Sequence, residues 1–146
     1  MKFISQKRNI STLLISLSIT LFSCTTDSVN DITLQDNIIG VWDVIGIEFT
    51  HPDFESQSAT SVQGTITFND DGTGKEDYSY VANLGVTLSR NQSFQWISTI
   101  ESIIINPGTA DEMIWQRLEN NTLNQRNRYT DKLGITYTIS LENEAR

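Results

Sequence analysis

The chain is poor in the residues that usually mark a catalytic or metal-binding protein. It has one cysteine, one histidine and two prolines among 146 residues. A single cysteine excludes an internal disulfide, so packing alone must hold the fold. The one histidine, His51, has too few donors beside it in the sequence for a zinc site, and no Gly-x-Ser-x-Gly motif or phosphate-binding glycine loop occurs. We therefore expect no enzyme, no metal and no cofactor.

Basic residues are scarce as well. The chain has 10 lysines and arginines against 18 aspartates and glutamates. Three of the bases, Lys2, Lys7 and Arg8, lie in the first 23 residues, which contain no acid, so the remainder carries a net charge of −11. Such a domain repels the phosphates of nucleic acids. We expect no nucleic-acid partner.

The chain has one sustained apolar run, and it is short. The run from Ile10 to Phe22 is about 13 residues, whereas a bilayer-spanning helix needs about 20. Positive residues precede it and the small Ser23 follows it, which is the arrangement of an export signal. We predict a lipoprotein signal peptide over residues 1–23. An N-terminal anchor helix that stays attached is the alternative.

The only cysteine follows directly. Leu21-Phe22-Ser23-Cys24 resembles a bacterial lipobox, with Phe22 bulkier than that pattern usually has. The resemblance implies cleavage before Cys24 and lipidation of its thiol, with the lipid anchor as a membrane partner. We expect a protein of the cell envelope, lipid-anchored in the outer membrane on its periplasmic or surface face. Residues 24–37 are polar and aperiodic, which is typical of a flexible tether.

From Ile38 onward the chain consists of short β-branched and aromatic runs separated by turn residues, and no run has the helical period. Side chains that alternate in this way give each strand one buried face. Short links between eight such runs favour an all-β fold, an eight-stranded up-and-down antiparallel β-barrel over residues 38–146. A sandwich would need longer crossovers. The predicted strands are Ile38–Thr50, Val62–Asp70, Lys75–Val81, Gln92–Ile97, Glu101–Asn106, Glu112–Leu118, Thr122–Thr130 and Ile135–Leu141.

Three stretches in this order are similar to the lipocalin-like domains of bacterial lipoproteins. They are Gly40-Val41-Trp42, the hairpin from Gly64 to Gly74, and Phe94-Gln95-Trp96. The resemblance implies that Gly40 and Trp42 are structural, with the indole closing one end of the barrel and stacking on an arginine. The candidates for that arginine are Arg117, Arg126, Arg128 and Arg146.

Loop lengths suggest where the barrel opens. The roomy links, His51–Ser61, Ala82–Asn91 and Pro107–Asp111, fall at one end, so we expect the mouth there, with Trp42 at the other end. Phe54 lies in the first of them, which resembles the lid-like first loop of lipocalins. A loop with no function is the alternative. The predicted ligand-binding side chains are Phe54, Tyr78, Tyr80, Phe94, Trp96, Trp115, Gln125, Asn127 and Tyr129.

The seventh predicted strand is unusually polar, and three interpretations of its orientation are open. If Leu123 and Tyr129 face inward, Gln125 and Asn127 become buried polar groups that need partners. If the arginines face inward, they offer a site for an anion. An exposed arginine row, with the amides bonded to neighbouring strands, is the third reading.

Two functions fit this sequence. One is a barrel that binds a small apolar or amphipathic molecule. The other is a non-catalytic structural or interaction subunit of a cell-envelope complex, with a filled barrel that contacts an envelope protein. A continuous cavity of about 300 Å³ or more would favour the first.

Overall fold

The structure is a computed structural model that describes residues 37–82 and 85–143. The predicted signal peptide, Cys24 and most of the tether lie outside the described residues, as does Arg146. In the described ranges the chain is all-β with no helix, and the predicted fold class is confirmed. The strands are β1 (Gly40–Thr50), β2 (Gln57–Ser58), β3 (Thr60–Phe68), β4 (Thr73–Val81), β5 (Thr87–Ser98), β6 (Ser102–Ile105), β7 (Met113–Asn120), β8 (Asn124–Thr130) and β9 (Thr136–Asn143).

Eight strands, all but β2, form a closed antiparallel barrel. From β3 onward each strand pairs with the next in sequence, β1 pairs with β3, and β1 also pairs with β9, which closes the sheet. The two-residue β2 was not predicted. It lies in the first loop and pairs with β1 through Glu48 and Phe49. Because β1 has β3 on one edge and β9 on the other, the barrel has no free first or last strand.

Seven of the eight predicted strands match the observed bounds closely, and the fourth differs most. The observed β5 begins at Thr87, five residues before the predicted start at Gln92. Its first half is polar, so no apolar alternation marks it, but it pairs continuously with β4 from Thr87 to Gln95. Pairing with a neighbouring strand therefore overrides weak local propensity. The predicted roomy link Ala82–Asn91 is therefore wrong in its extent, because β5 already begins at Thr87, inside the predicted link.

The interior is apolar and aromatic near the Trp42 end. Phe68 lies in its middle, with its ring centroid 5.4 Å from those of Phe94 and Trp96 and 6.4 Å from that of Trp115, all in edge-to-face geometry. The Trp42 indole is fully buried and donates a hydrogen bond to the carbonyl oxygen of Ile38 at 2.6 Å. This end of the barrel is filled by side chains.

The predicted tight turn between β3 and β4 is present. Asp71 Oδ1 accepts hydrogen bonds from the Thr73 amide at 2.9 Å and the Thr73 hydroxyl at 2.6 Å, and these bonds lower the pKa of Asp71. Gly72 has a φ of +80°, which glycine adopts without steric cost. The turn residues are thus accounted for by hairpin geometry.

Candidate functional site

Strand pairing in the barrel is incomplete on one side, at the seam between β5 and β6. The strand β6 has only four residues, and it pairs with β5 only from Trp96 to Ser98. Within the described residues, β5 from Thr87 to Ser93 therefore has a strand partner on one edge only, β4.

A cleft of about 480 Å³ lies along this seam. Its walls are mostly polar and include acids and bases of both signs. The lining residues are Arg90, Gln92, Ser93, Asn106, Asp111, Glu112, Met113, Thr130, Asp131, Lys132 and Leu133.

An ion pair lies on the wall of the cleft. Lys132 Nζ, in the turn between β8 and β9, is 2.9 Å from Asp111 Oδ1, in the loop between β6 and β7. The hydrogen bond and the charge of Lys132 lower the pKa of Asp111. Both side chains are largely exposed, so this contact is a weak link between the two turns.

Two residues of the cleft, Arg90 and Gln92, lead to a buried acid. Glu76 on β4 is 2% exposed, and its Oε2 accepts a hydrogen bond from Gln92 Nε2 at 2.6 Å. Arg90 Nη1 is 3.8 Å from the same oxygen, a charge contact rather than a hydrogen bond. Glu76 Oε1 has no hydrogen-bond partner among the described residues. Burial raises the pKa of Glu76, and Arg90 and Gln92 partly offset that rise.

All four tyrosines of the chain face the interior around Glu76 and Arg90. Tyr78 lies opposite Arg90 in the β4–β5 register, and Tyr129 on β8 is close enough for Arg90 and Glu76 to influence its titration. Burial raises the pKa of both phenols, so they stay neutral donors. Trp115, Tyr129 and Tyr137 form a stack with centroid spacings of 5.3 and 5.1 Å.

The wall formed by β7 and β8 carries further polar atoms without partners. Asn127 is fully buried, and neither its Oδ1 nor its Nδ2 has a hydrogen-bond partner in the part of the chain that the structure describes. The same holds for Gln125 Oε1 and Trp115 Nε1. The other polar atom of the Gln125 side chain, Nε2, donates hydrogen bonds to Asn120 Oδ1 at 2.8 Å and to the Asn121 carbonyl oxygen at 2.7 Å. Buried polar atoms are normally paired, so this concentration indicates a place for a ligand or ordered water.

These positions resolve the orientation of the seventh predicted strand. Gln125, Asn127 and Tyr129 face inward, and the arginines face outward, with Arg126 Nη2 3.2 Å from Glu48 Oε2 on the barrel exterior. An interior anion site on these arginines was therefore a wrong alternative. Leu123 was also placed wrongly, since it precedes β8 and is 55% exposed.

The remaining predicted ligand residues fall into two places. Phe54 is 67% exposed in the first loop, and its ring is 5.1 Å from that of His51. Tyr78, Tyr80, Phe94, Trp96 and Trp115 are buried in the core. Glu76 and Arg90 were missed. Extending the alternation of Tyr80 and Tyr78 by one step would have placed Glu76 inside.

The signature residues Gly40 and Trp42 lie at the start of β1. Gly40 begins the strand and the Trp42 indole is buried beneath it. Of the arginines considered for the stack, Arg117 shares the inward face of β7 with Trp115 and is partly buried, whereas Arg128 is exposed on the outer face of β8.

The described residues contain no group of three or more His, Cys, Asp or Glu side chains arranged to hold a metal ion. No helix in these ranges is long and apolar enough to cross a membrane.

Together these features describe a closed β-barrel with one filled aromatic end and a polar interior beside a lateral cleft. No protein-family model and no curated protein sequence matches the chain. Among solved structures, the chain is similar to a redesigned β-barrel, mFAP1, bound to DFHBI, at 14% identity over 73% of this chain and 95% of that chain, with a TM-score of 0.46. It is also similar to bovine odorant binding protein in complex with a selenium-containing odorant, at 13% identity over 76% and 73% of the two chains, with a TM-score of 0.43.

The buried carboxyl of Glu76 predicts a pH-dependent stability. Its pKa in the folded protein lies above its ordinary value of 4.5, so Glu76 favours folding at low pH, and that contribution is lost as pH rises through the raised value. We expect Glu76→Gln to gain stability relative to the wild type as pH rises. Urea unfolding from about pH 4 to about pH 8 measures the difference between the two proteins, in which the other titrating groups cancel. A difference that stays constant over this range would contradict the prediction.

Proposed function

We propose that this barrel is a non-catalytic module that binds a small apolar or amphipathic molecule. The observation that carries the proposal is the set of buried polar atoms without partners, on Glu76, Trp115, Gln125 and Asn127. A protein that only needed a filled core would be more stable with apolar residues there. The cleft at the β5–β6 seam has a volume typical of small-molecule sites, about 300–1,000 Å³.

The proposal that the protein is not an enzyme follows from its side chains. His51 lies in the first loop, where its Nδ1 accepts a hydrogen bond from the Asp53 amide at 3.1 Å. The chain's one histidine therefore lies in a loop and not on a barrel strand. The buried phenols have raised pKa values and are poor general bases at neutral pH.

Native mass spectrometry of the processed protein purified from the cell envelope tests the binding function. We expect a small molecule to co-purify at a ratio near one per chain and to dissociate on unfolding. A stoichiometric protein in its place would support the alternative, a structural subunit. The bare chain alone, recovered under conditions that retain weak ligands, would count against both.

The alternative has one observation in its favour, a row of isoleucines on the outer face. Ile97, Ile104 and Ile114 are directly opposite one another on β5, β6 and β7. Ile97 and Ile114 are 51% and 59% exposed. If this row contacts an envelope protein, Ile114→Lys removes that protein from the purified material. Leu123→Lys, at a 55% exposed side chain in the turn between β7 and β8 and outside the cleft, is the control for a general surface effect.

We also propose that the protein is a lipoprotein anchored in the outer membrane through Cys24. Support comes from the sequence, namely the charged start, the short apolar run and the lipobox-like Leu21-Phe22-Ser23-Cys24. We expect Cys24→Ala to block processing or to release the protein from the membrane fraction, because no thiol remains to be lipidated. Cell fractionation and the mass of the N-terminal peptide are the measurements. Unchanged membrane association would exclude lipidation as the anchor.

A further inference from the structure

We propose that the polar end of the ligand is uncharged and carries both a hydrogen-bond donor and an acceptor, as in a carboxamide, and that Asn127 is its main recognition residue. This inference rests on the proposed binding function and deepens it. It separates a neutral amphipathic ligand from a purely apolar one and from an amphipathic ion.

One wall of the barrel interior holds several buried polar atoms without hydrogen-bond partners among the described residues. Asn127 offers an acceptor, Oδ1, and a donor, Nδ2, and Gln125 and Trp115 add one acceptor and one donor. All three side chains are no more than 1% exposed. Gln125, Asn127 and Tyr129 alternate on the inward face of β8, and the Trp115 ring on β7 stacks on the Tyr129 ring at a centroid distance of 5.3 Å. Donors and acceptors are therefore present together on adjoining positions of β7 and β8.

An apolar ligand is a poor match for this wall. A hydrocarbon in contact with this wall would leave every one of these atoms without a partner, and that costs binding free energy. A side-chain amide pairs with a donor and an acceptor at once, as asparagine does when it reads an adenine edge. A carboxamide presents these two groups on adjacent atoms, so it complements Asn127 with two hydrogen bonds.

A charged ligand is also a poor match for this interior. Within the described residues, the charges of the buried acid Glu76 and the partly buried base Arg90 balance each other. A second inward-facing base, Arg117 on β7, already has an interaction partner of its own. The arginines of β8 face outward, and burial raises the pKa of the Tyr78 and Tyr129 phenols, which keeps them neutral. A carboxylate or an ammonium group inside would therefore lack a counter-ion of its own, and an unpaired buried charge is more costly than an unpaired dipole.

The cleft at the β5–β6 seam is linked to this polar wall by contacts between side chains. The cleft touches Arg90 and Gln92, and Gln92 contacts Glu76 directly. Glu76 and Arg90 in turn influence the titration of Tyr129, which stacks on Trp115 and lies two residues from Asn127 on the same face. The seam thus adjoins the polar interior through a short series of side chains.

The test uses three probes with four carbon atoms each, namely butanamide, butanoate and butylammonium. Each is titrated against the processed protein from the cell envelope, with affinity measured by ligand-detected NMR. We expect butanamide to bind about tenfold tighter than either charged probe, because only its head group meets its hydrogen-bonding needs without an unpaired charge.

Substitutions test whether the wall formed by β7 and β8 causes the preference for butanamide. Asn127→Leu is expected to weaken butanamide binding about tenfold, for the loss of two hydrogen bonds. Trp115→Phe keeps the stacked ring, removes one donor, and is expected to weaken binding about threefold. Arg128→Leu, on the same strand but facing outward, is the matched control and is expected to bind as the wild type does. Circular dichroism of each variant confirms its fold.

The outcomes are separable. A preference for butanoate or butylammonium would overturn the inference and leave the binding function standing. Butanamide binding that is unchanged in both Asn127→Leu and Trp115→Phe would remove the recognition role of this wall. No binding of any of the three probes would count against the inference and the proposed function together.

Discussion

Phe68→Ala is expected to lower the free energy of unfolding by about 3–5 kcal/mol, the range for truncating a fully buried aromatic side chain. Phe68 is 1% exposed and makes edge-to-face contacts with Phe94, Trp96 and Trp115. Truncation removes all three contacts at once and leaves a cavity that rigid rings on three sides cannot fill. Such a loss is a large part of the total stability of a domain of this size.

The chain supplies a matched control for this substitution. Phe54→Ala makes the same chemical change at a side chain that is 67% exposed, so it is expected to alter stability by no more than about 0.5 kcal/mol. Urea unfolding of both variants, followed by tryptophan fluorescence, measures the difference. Equal effects of the two substitutions would show that the aromatic cluster is not the centre of the core.

Gly64→Ala is expected to cost more than about 3 kcal/mol or to prevent folding. Gly64 has a φ of +109°, which L-residues rarely adopt. A Cβ at this position would overlap the carbonyl oxygen of Asp77 and would lie 2.6 Å from the Cα of Tyr78. Both are backbone atoms of β4, so relief requires β3 and β4 to separate where they are paired.

Gly108→Ala is the control for backbone strain without a steric clash. Gly108 also has a positive φ, +73°, but a Cβ there would meet nothing within 4 Å. We expect it to cost only the strain of the left-handed conformation, about 1–2 kcal/mol. Thermal unfolding of both variants gives the comparison, and a Gly64→Ala protein as stable as Gly108→Ala would mean that β4 yields easily at this point.

The sequence alone predicts the barrel and the inward-facing side of most of its strands. Alternation in Ile66 and Phe68, and in Phe94 and Trp96, predicts the buried side of β3 and β5 because one face of each strand must be covered. The failures have a physical pattern. The polar start of β5 is a strand because β4 lies beside it, and no local propensity encodes that neighbour.

The candidate site was only partly predictable. Gln125 and Asn127 were recognised as inward candidates because they alternate with Tyr129, and the structure places both inside. Glu76 was passed over because a charged residue in a strand is ordinarily assigned to the solvent face. Its burial depends on Gln92 and Arg90 from the next strand, and only the β4–β5 register brings those three side chains together.

The closure of the barrel by β1 and β9 has a kinetic consequence. Eight residue pairs, from Trp42 with Asn143 to Thr50 with Thr136, join segments about a hundred residues apart in the chain. Contacts of such long range form slowly, because the entropy of ordering the intervening chain must be lost before they can stabilise anything. During folding β1 therefore pairs with β3 early and with β9 late. Until β9 is in place the other edge of β1 is unprotected, and in this interval the folding protein is most exposed to misassembly.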